Sequence, residues 1–309
     1  MIKDFIGKET LVDAIFMVKQ ATEAISNSGS HYLSLTLQDA SGTIDAKKWS
    51  IDDVDLEIAT AGSLIRVQGL SSVYRNHPQL KINELDSVDK NSVDLSKYIA
   101  VAPMAKDEME VKLKDYISQI KDSDLKKLTE KIITDNYENY TTYPAAVTVH
   151  HSYLGGLLFH SLSICSLAIK IQEQYPYLNK DYLIAGSLLH DIGKTKELSS
   201  AITPNYTVEG NLVGHISLGA MMVYEAGTSL KIDKEKLDVL VHMILAHHGQ
   251  YEFGSPKLPA TAEAYVLHNL DDLDAKMECL RLAYEKTEDG DFTGKIVWMN
   301  ETNFYKPKN

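Results

Sequence analysis

Through the first 95 residues, apolar and polar side chains alternate in short runs separated by turn-forming clusters. Leu11–Val18, His31–Gln38, Thr43–Trp49, Ser63–Val73 and Leu80–Val88 carry this alternation or a β-branched bias, the period of strands with one face in a core. Asp39-Ala-Ser-Gly42 predicts a hairpin turn, and Asn76-His-Pro78 predicts another before Gln79. Five short strands with a long hairpin across the 60s to 80s predict a small closed barrel. From about residue 96 the period becomes helical. Ala105–Ile120 and Ser123–Asp135 are predicted helices, the second with the Ser123 hydroxyl as its N-cap, and Pro144 marks a break. From 150 to about 287 the chain reads as almost wholly helical: Gly156–Tyr175, Asp181–Asp191, Leu212–Gly227, Lys234–His248 and Pro259–Glu285, with Ser199–Gly210 irregular. The expected division is a barrel over 1–95, a helical connector over 96–149, a helical bundle over 150–288 and a tail over 289–309 that packs back on the body.

Composition changes this picture little. Of 309 residues, 44% are hydrophobic and 24% charged, ordinary for a soluble globular chain. No apolar run approaches the ~18 residues of a membrane span, and the N-terminus lacks the apolar core of a signal peptide. The two cysteines, Cys165 and Cys279, have no zinc-ligand spacing and suit a reducing cytoplasm. The net charge of −12 argues against a protein that coats polyanions. It leaves room for a local basic groove, and for positive charge supplied by metal ions.

The chemistry lies in the histidines of the helical part. His160 shares a helical face with Leu157, Ile164, Leu167 and Ile171, so its imidazole points inward. His190 and Asp191 end the apolar run that begins at Ala185, His215 follows Gly214, His247 and His248 end a helix before Gly249, and Asp271 lies in Leu267-His-Asn-Leu-Asp-Asp-Leu-Asp. Each taken alone has a plainer reading: a core histidine, a helix C-terminus that favours positive charge, a solvated acid. Together, on successive helices with apolar faces, they predict polar groups aimed at one interior point, where burial without partners is costly. Metal ions are the simplest compensation. Mixed imidazole and carboxylate donors suit Mn, Fe, Co, Zn or Ni, whereas Mg prefers oxygen. The expected arrangement is one ion held by His160, His190, Asp191 and Asp271, and a second by Asp191, His215 and His247/His248. Asp191 bridges them in a clamp for phosphoryl transfer.

The ordered set resembles the HD-domain metallophosphohydrolase superfamily. His160, His190-Asp191 and Asp271 match its H…HD…D core, and His215 and His247-His248 match the further ligands of binuclear members. With Gly155-Gly156-Leu-Leu before His160 and a barrel of OB-fold type in front, nearly the whole chain is similar to the YhaM family of 3′→5′ exoribonucleases. The resemblance implies a multidomain protein, an N-terminal OB-fold barrel followed by an all-α HD-domain bundle. It also implies removal of nucleotides from single-stranded RNA 3′ ends with manganese or cobalt, and action on single-stranded DNA. Asp271 is the ligand by family pattern among Asp271, Asp272 and Asp274, while His268 and Asp274 are candidates to orient ligands. Lys194, in Asp-Ile-Gly-Lys with Gly193 as a turn, is a candidate to hold a phosphate oxygen. His151, or less well His150, is a candidate proton donor at the site mouth.

In the barrel, Phe16, Tyr32, Trp49 and Tyr74 are candidate base-stacking rings, and Lys47, Lys48, Arg66, Arg75 and Lys81 candidate phosphate contacts. The best clusters are Lys47-Lys48-Trp49 and Tyr74-Arg75. The expected reaction is in-line hydrolysis that releases 5′-mononucleotides, with Lys194 and the metals stabilising charge on the phosphoryl oxygens. Two other readings stay open: an HD-type nucleotide or cyclic-dinucleotide phosphohydrolase, and a nucleic-acid-binding protein with an inactive bundle. A homo-oligomer is compatible with a bundle this small.

Overall fold

Alternating burial builds the first of two compact units, residues 1–101, in a computed structural model that describes residues 1–26, 29–74, 77–147 and 151–308. Arg75, Asn76 and His150 lie outside the described residues, as does the side chain of Tyr74. Strands β1 (Thr10–Ile25), β2 (His31–Asp39), β3 (Gly42–Trp49), β4 (Leu64–Tyr74) and β5 (His77–Val88) close a barrel in the order β1-β2-β3-β5-β4. All pairs are antiparallel except β3 with β5. This is the five-stranded OB-fold barrel. β1 extends seven residues past the predicted Val18, because a register shift between Val18 and Gln20 bends it. Its first half then pairs with β4 and its second half with β2. At the matching irregularity in β4, Gly69 is required by space: a Cβ there would lie 2.3 Å from the Lys81 carbonyl oxygen.

The barrel interior is mainly apolar, with Val18, Leu37, Ile65, Val67 and Leu80 fully buried. Helix α1 (Ile2–Phe5) adds Ile2 and Phe5 to this core and is fixed by Asp39, which accepts from the Ile2 amide at 2.7 Å. The sequence pattern did not reveal α1 or the six-residue α2 (Asp53–Ile58).

The second unit, residues 102–309, is helical. Its elements are α3 (Lys106–Gln119), α4 (Ser123–Asp135), α5 (Tyr137–Thr142), α6 (Gly156–Gln174), α7 (Lys180–Leu189), α8 (Lys194–Glu197), α9 (Val208–Val213), α10 (His215–Ser229), α11 (Lys234–Ala246) and α12 (Ala262–Glu285). The stretch expected as a connector is built into this body from residue 102. Leu113, Leu125, Leu128 and Tyr140 share one core with Leu157, Leu188, Val223 and Leu240, and the Tyr140 hydroxyl donates to the Leu188 carbonyl at 2.7 Å. The cap of α4 is Asp122 and not the expected Ser123. Its carboxylate accepts from the Asp124 and Leu125 amides, each at 3.0 Å, and pairs with Lys236 at 2.7 Å. The expected helix Leu212–Gly227 is two helices, because Gly214 adopts φ +75° and restarts the chain at His215.

Candidate metal centre

Five helical segments bring the predicted donors together. His160 sits one turn into α6, fully buried. His190 and Asp191 occupy the turn just past α7, His215 opens α10, His247 closes α11 with His248 beside it, and Asp271 lies midway along α12. Gly193 sets the spacing between two of these segments. The sequence suggested a turn that swings Lys194 inward, but Gly193 has ordinary right-handed angles. What it supplies is proximity: a Cβ there would fall 2.0 Å from the His215 carbonyl oxygen and 2.7 Å from the Gly219 nitrogen. Glycine lets the start of α10 press against the His190-Asp191 turn.

The donors form two groups that share Asp191. In the first, His160 Nε2 lies 3.1 Å from Asp271 Oδ1, 3.3 Å from His190 Nε2 and 3.8 Å from Asp191 Oδ2. His190 Nε2 lies 3.4 Å from that same Asp191 oxygen. In the second, Asp191 Oδ1 faces His215 Nε2 at 3.6 Å and His247 Nε2 at 3.7 Å. His248 completes this group, each of the three imidazoles offering a nitrogen within 4.8 Å of the others. All seven expected ligands therefore converge, and the two oxygens of one carboxylate face different groups.

Their outer nitrogens are fixed by the protein. His190 Nδ1 and His247 Nδ1 donate to the Ser187 and Ile244 carbonyls at 2.9 and 2.7 Å, and His248 Nδ1 to the Phe253 carbonyl at 2.7 Å. Glu197 takes both the backbone amide and Nδ1 of His215, at 2.9 and 3.1 Å. Asp274 takes His160 Nδ1 at 2.7 Å. These bonds fix the tautomers and aim the Nε2 lone pairs inward. Asp274 and His268, which donates to the His247 carbonyl at 3.0 Å, thus sit behind the ligands as the sequence suggested. Asp272 is a surface acid paired with Lys276 at 2.6 Å. Glu197 was missed, since a lone glutamate three residues past Lys194 has no metal-ligand spacing to betray it.

Inside the cluster, several atoms have no partner. Asp191 Oδ1, His215 Nε2 and His247 Nε2 are buried and make no hydrogen bond. A protein interior seldom leaves such groups unsatisfied, and three orphans facing one another match the deficit a cation fills. The charge states agree. Burial pushes the Asp191 carboxyl up, but Lys194 and His190 more than offset this and hold it well below the usual carboxylate range. Burial, reinforced by His248, keeps His247 well below the imidazole range and so neutral. An ionised carboxylate and a neutral imidazole are the forms that ligate metal. His160 differs: burial pushes its imidazole down, but Asp271 and Asp274 outweigh this and raise it to about 9, so a metal there would have to displace its proton.

Lys194 is buried, and its Nζ lies 2.6 Å from Asp191 Oδ2. It lines a cavity of about 750 Å³ together with Asp191, His215, His248 and Asp271. His151, expected at the site mouth, lies elsewhere. It is 2% exposed, with Nε2 2.8 Å from Asp274 and Nδ1 2.6 Å from the Tyr153 hydroxyl. Both ring nitrogens are engaged behind His160, so His151 holds Asp274 in place and is not positioned to donate a proton in the cavity.

In the barrel, Tyr32 and Trp49 stack with ring centroids 4.5 Å apart, and Lys47 Nζ lies over the Tyr32 ring at 5.2 Å. Lys48 is not with them. It points inward and pairs with Asp55 at 2.7 Å, both side chains 11% exposed. Phe16 is core, and Arg66 is taken by Asp13 in a two-pronged pair at 2.7 and 2.8 Å.

Comparison with known proteins agrees with this geometry. The HD domain family model matches residues 157–276, and a second model, for a helicase-type family, matches 104–180. The HD match implies dependence on divalent metal. Two proteins named 3′-5′ exoribonuclease YhaM, from Bacillus velezensis and Bacillus subtilis, are each 38% identical over 297 residues, 96% of this chain and 95% of theirs. Among solved structures, the second OB-fold domain of replication protein A from Methanococcus maripaludis covers 28% of this chain and 88% of that one, at 17% identity and a TM-score of 0.22.

Proposed function

The chain belongs to the YhaM family of 3′-5′ exoribonucleases, and we propose on that premise that it hydrolyses single-stranded RNA from the 3′ end to 5′-mononucleotides at a binuclear metal centre. The observation that carries this reading is the convergence of orphaned donors on Asp191. One ion would be held by His160, His190, Asp191 and Asp271, the other by Asp191, His215, His247 and His248. When bound, such ions supply Lewis acidity and a water of lowered pKa. The protein's own residues do the rest. Asp191 spans both groups and sets their separation. Lys194, beside Asp191 at the cavity wall, offers a fixed positive charge to a phosphoryl oxygen, where preorganised charge is most effective. Glu197 and Asp274 keep His215 and His160 turned to the centre.

Manganese is the metal we assign, on the resemblance to the YhaM family; the mixed imidazole and carboxylate donors speak against magnesium but suit Fe, Co, Zn or Ni as well as Mn. No ribose hydroxyl is required, so single-stranded DNA is a second substrate. In the barrel, the Tyr32–Trp49 stack with Lys47 is the surface we assign to bases and phosphates of the incoming strand. No described helix is long and apolar enough to cross a membrane, and we assign the enzyme to the cytoplasm.

The test is digestion of 5′-labelled RNA and DNA with Mn, Co, Mg and Zn side by side. A ladder shortening from the 3′ end, with 5′-mononucleotides released, is expected with Mn. Asp191→Ala should abolish it and the bound metal together; an active, metal-loaded Asp191→Ala protein would refute the assignment.

A further inference from the structure

The cavity over the metal centre has a floor of ionisable groups and a wall of exposed aromatic rings. Tyr206, Phe253 and Trp298 line it and are 53%, 59% and 63% exposed. Single exposed rings are ordinary. Three from separate segments, around one cavity that also holds Asp191 and Lys194, are not explained by packing.

Each ring is delivered by a built element. Tyr206 lies at a bridge that pairs it with Leu198, one residue past α8. Phe253 ends the short turn Tyr251–Phe253 whose last carbonyl accepts from His248 at 2.7 Å, so the turn that orients a donor also presents a ring. Trp298 is at the tip of a C-terminal hairpin. Bridges Phe292–Tyr305 and Ile296–Thr302 pair its arms, and the tip is the turn Val297–Met299 followed by Asn300 and Glu301, both at φ +54°. The hairpin is tied to the end of α12. Lys306 Nζ reaches the Tyr284 and Thr287 carbonyls at 3.1 and 2.9 Å and Asp289 at 2.9 Å, and the Tyr284 hydroxyl donates to the Tyr305 carbonyl at 2.9 Å. A tail fastened this firmly, whose tip leaves a tryptophan exposed against a cavity, is placing that ring.

We infer that Trp298, with Phe253 and Tyr206, forms a stacking clamp for the bases of the two nucleotides flanking the scissile phosphate. The inference rests on the exoribonuclease reading. An enzyme that removes nucleotides one after another must hold each base in turn whatever its identity. Hydrogen-bond readout would discriminate among bases, whereas a π-face accepts all of them. The cavity, about 750 Å³, lies within the range that encloses a small ligand. Trp298 is a binding and positioning residue in this scheme, and the chemistry stays with the groups around Asp191.

The test uses the full-length, manganese-loaded protein and three unstructured RNA strands: one with every base, one abasic at the 3′-terminal position and one abasic at the penultimate position. The readout is the ratio of kcat/KM for the complete strand to that for each abasic strand. Because both substrates meet the same enzyme, a fraction of misfolded protein cancels from the ratio. The wild type should prefer the complete strand. Trp298→Ala should shrink that preference at one position by about 5- to 150-fold, the value of one stacked base, mainly through KM, and Trp298→Phe should keep most of it. An unchanged ratio in Trp298→Ala overturns the clamp. A wild type that leaves the complete strand intact would instead overturn the exoribonuclease reading, and the clamp with it.

Discussion

The barrel and the bundle bury polar groups in opposite ways. Among the described residues of the barrel, every buried charge has its partner in the chain: Lys48 meets Asp55, and Asp39 meets the Ile2 amide and Ser41. In the bundle, acids and imidazoles crowd together, and Asp191, His215 and His247 still lack partners for atoms that face one another. Both interiors contain charge, so buried charge by itself does not mark a site. The difference lies in whether the folded chain completes its own hydrogen bonding. Where it does, the group serves the fold. A lone orphan such as the buried Ser187 Oγ marks nothing by itself, but where several donors face one another without partners, as around Asp191, a ligand fits the deficit.

The largest stability effect should come from breaking a completed pair. Lys48→Met removes the ammonium and leaves the mostly buried Asp55 without its counter-charge, with only the Asp52 amide still donating to it at 3.1 Å. A loss of roughly 3 kcal/mol is expected, because a buried pair costs most when only one partner is removed. Urea unfolding followed by the fluorescence of Trp49 would measure it, in a Trp298→Phe background that leaves Trp49 as the reporter. The metal content of the bundle should be unchanged. A variant as stable as the parent would show that the barrel does not depend on this pair, and the contrast between the two interiors would weaken.

The incomplete interior should respond to metal. Manganese at about 100-fold above its dissociation constant should stabilise the chain by about 2.7 kcal/mol for each site it fills, the linkage expected of a site that exists only in the folded state. A thermal melt with and without chelator reads this as a rise in Tm. The rise should vanish in Asp191→Ala and survive in Lys48→Met. If both variants responded alike, metal would be acting somewhere other than the centre.

The same contrast explains what the sequence made legible. Strands such as β2, with alternate residues Leu33, Leu35 and Leu37 buried, follow their pattern closely. The ligands could be found because each lies on or beside an apolar helix face, so the face fixes the direction of the donor. Lys48 shows a signal that was available and not used. It has the same parity as Ile44 and Ala46 in β3, so it must point inward, while Lys47 and Trp49 point out. Other features depend on contacts distant in sequence. The bend in β1 needs both of its partner strands, and the need for glycine at 193 shows only once the start of α10 lies against it. His151 was misplaced because it shortly precedes α6, a position that by sequence alone suits the site mouth. Its burial follows from its pairing with Asp274, more than a hundred residues away.

That pairing gives the smallest of the expected effects. Asp274 accepts from His151, His160 and Ser163. Its carboxyl is pushed up by burial but held below the usual range by the two imidazoles, so it is ionised and has acceptor capacity for all three. Asp274→Asn keeps the shape: its oxygen can still face both imidazoles, and its N–H₂ can donate to the Ser163 hydroxyl, which accepts as well as donates. What the substitution removes is the charge, and His160 loses the anion that fixes its ring. Metal affinity should fall by about 10- to 100-fold, the usual consequence of losing a partner behind a ligating histidine. His151→Gln should do the same to a smaller extent, measured as manganese binding by calorimetry. This separates positioning from proton donation. A proton donor would alter the pH profile of hydrolysis and leave metal affinity alone, whereas a residue that holds Asp274 weakens metal binding and leaves the pH profile of the metal-saturated enzyme unchanged. The first outcome would return His151 to the reaction; the second would confine its role to completing, from behind, the one part of the interior that the chain leaves open.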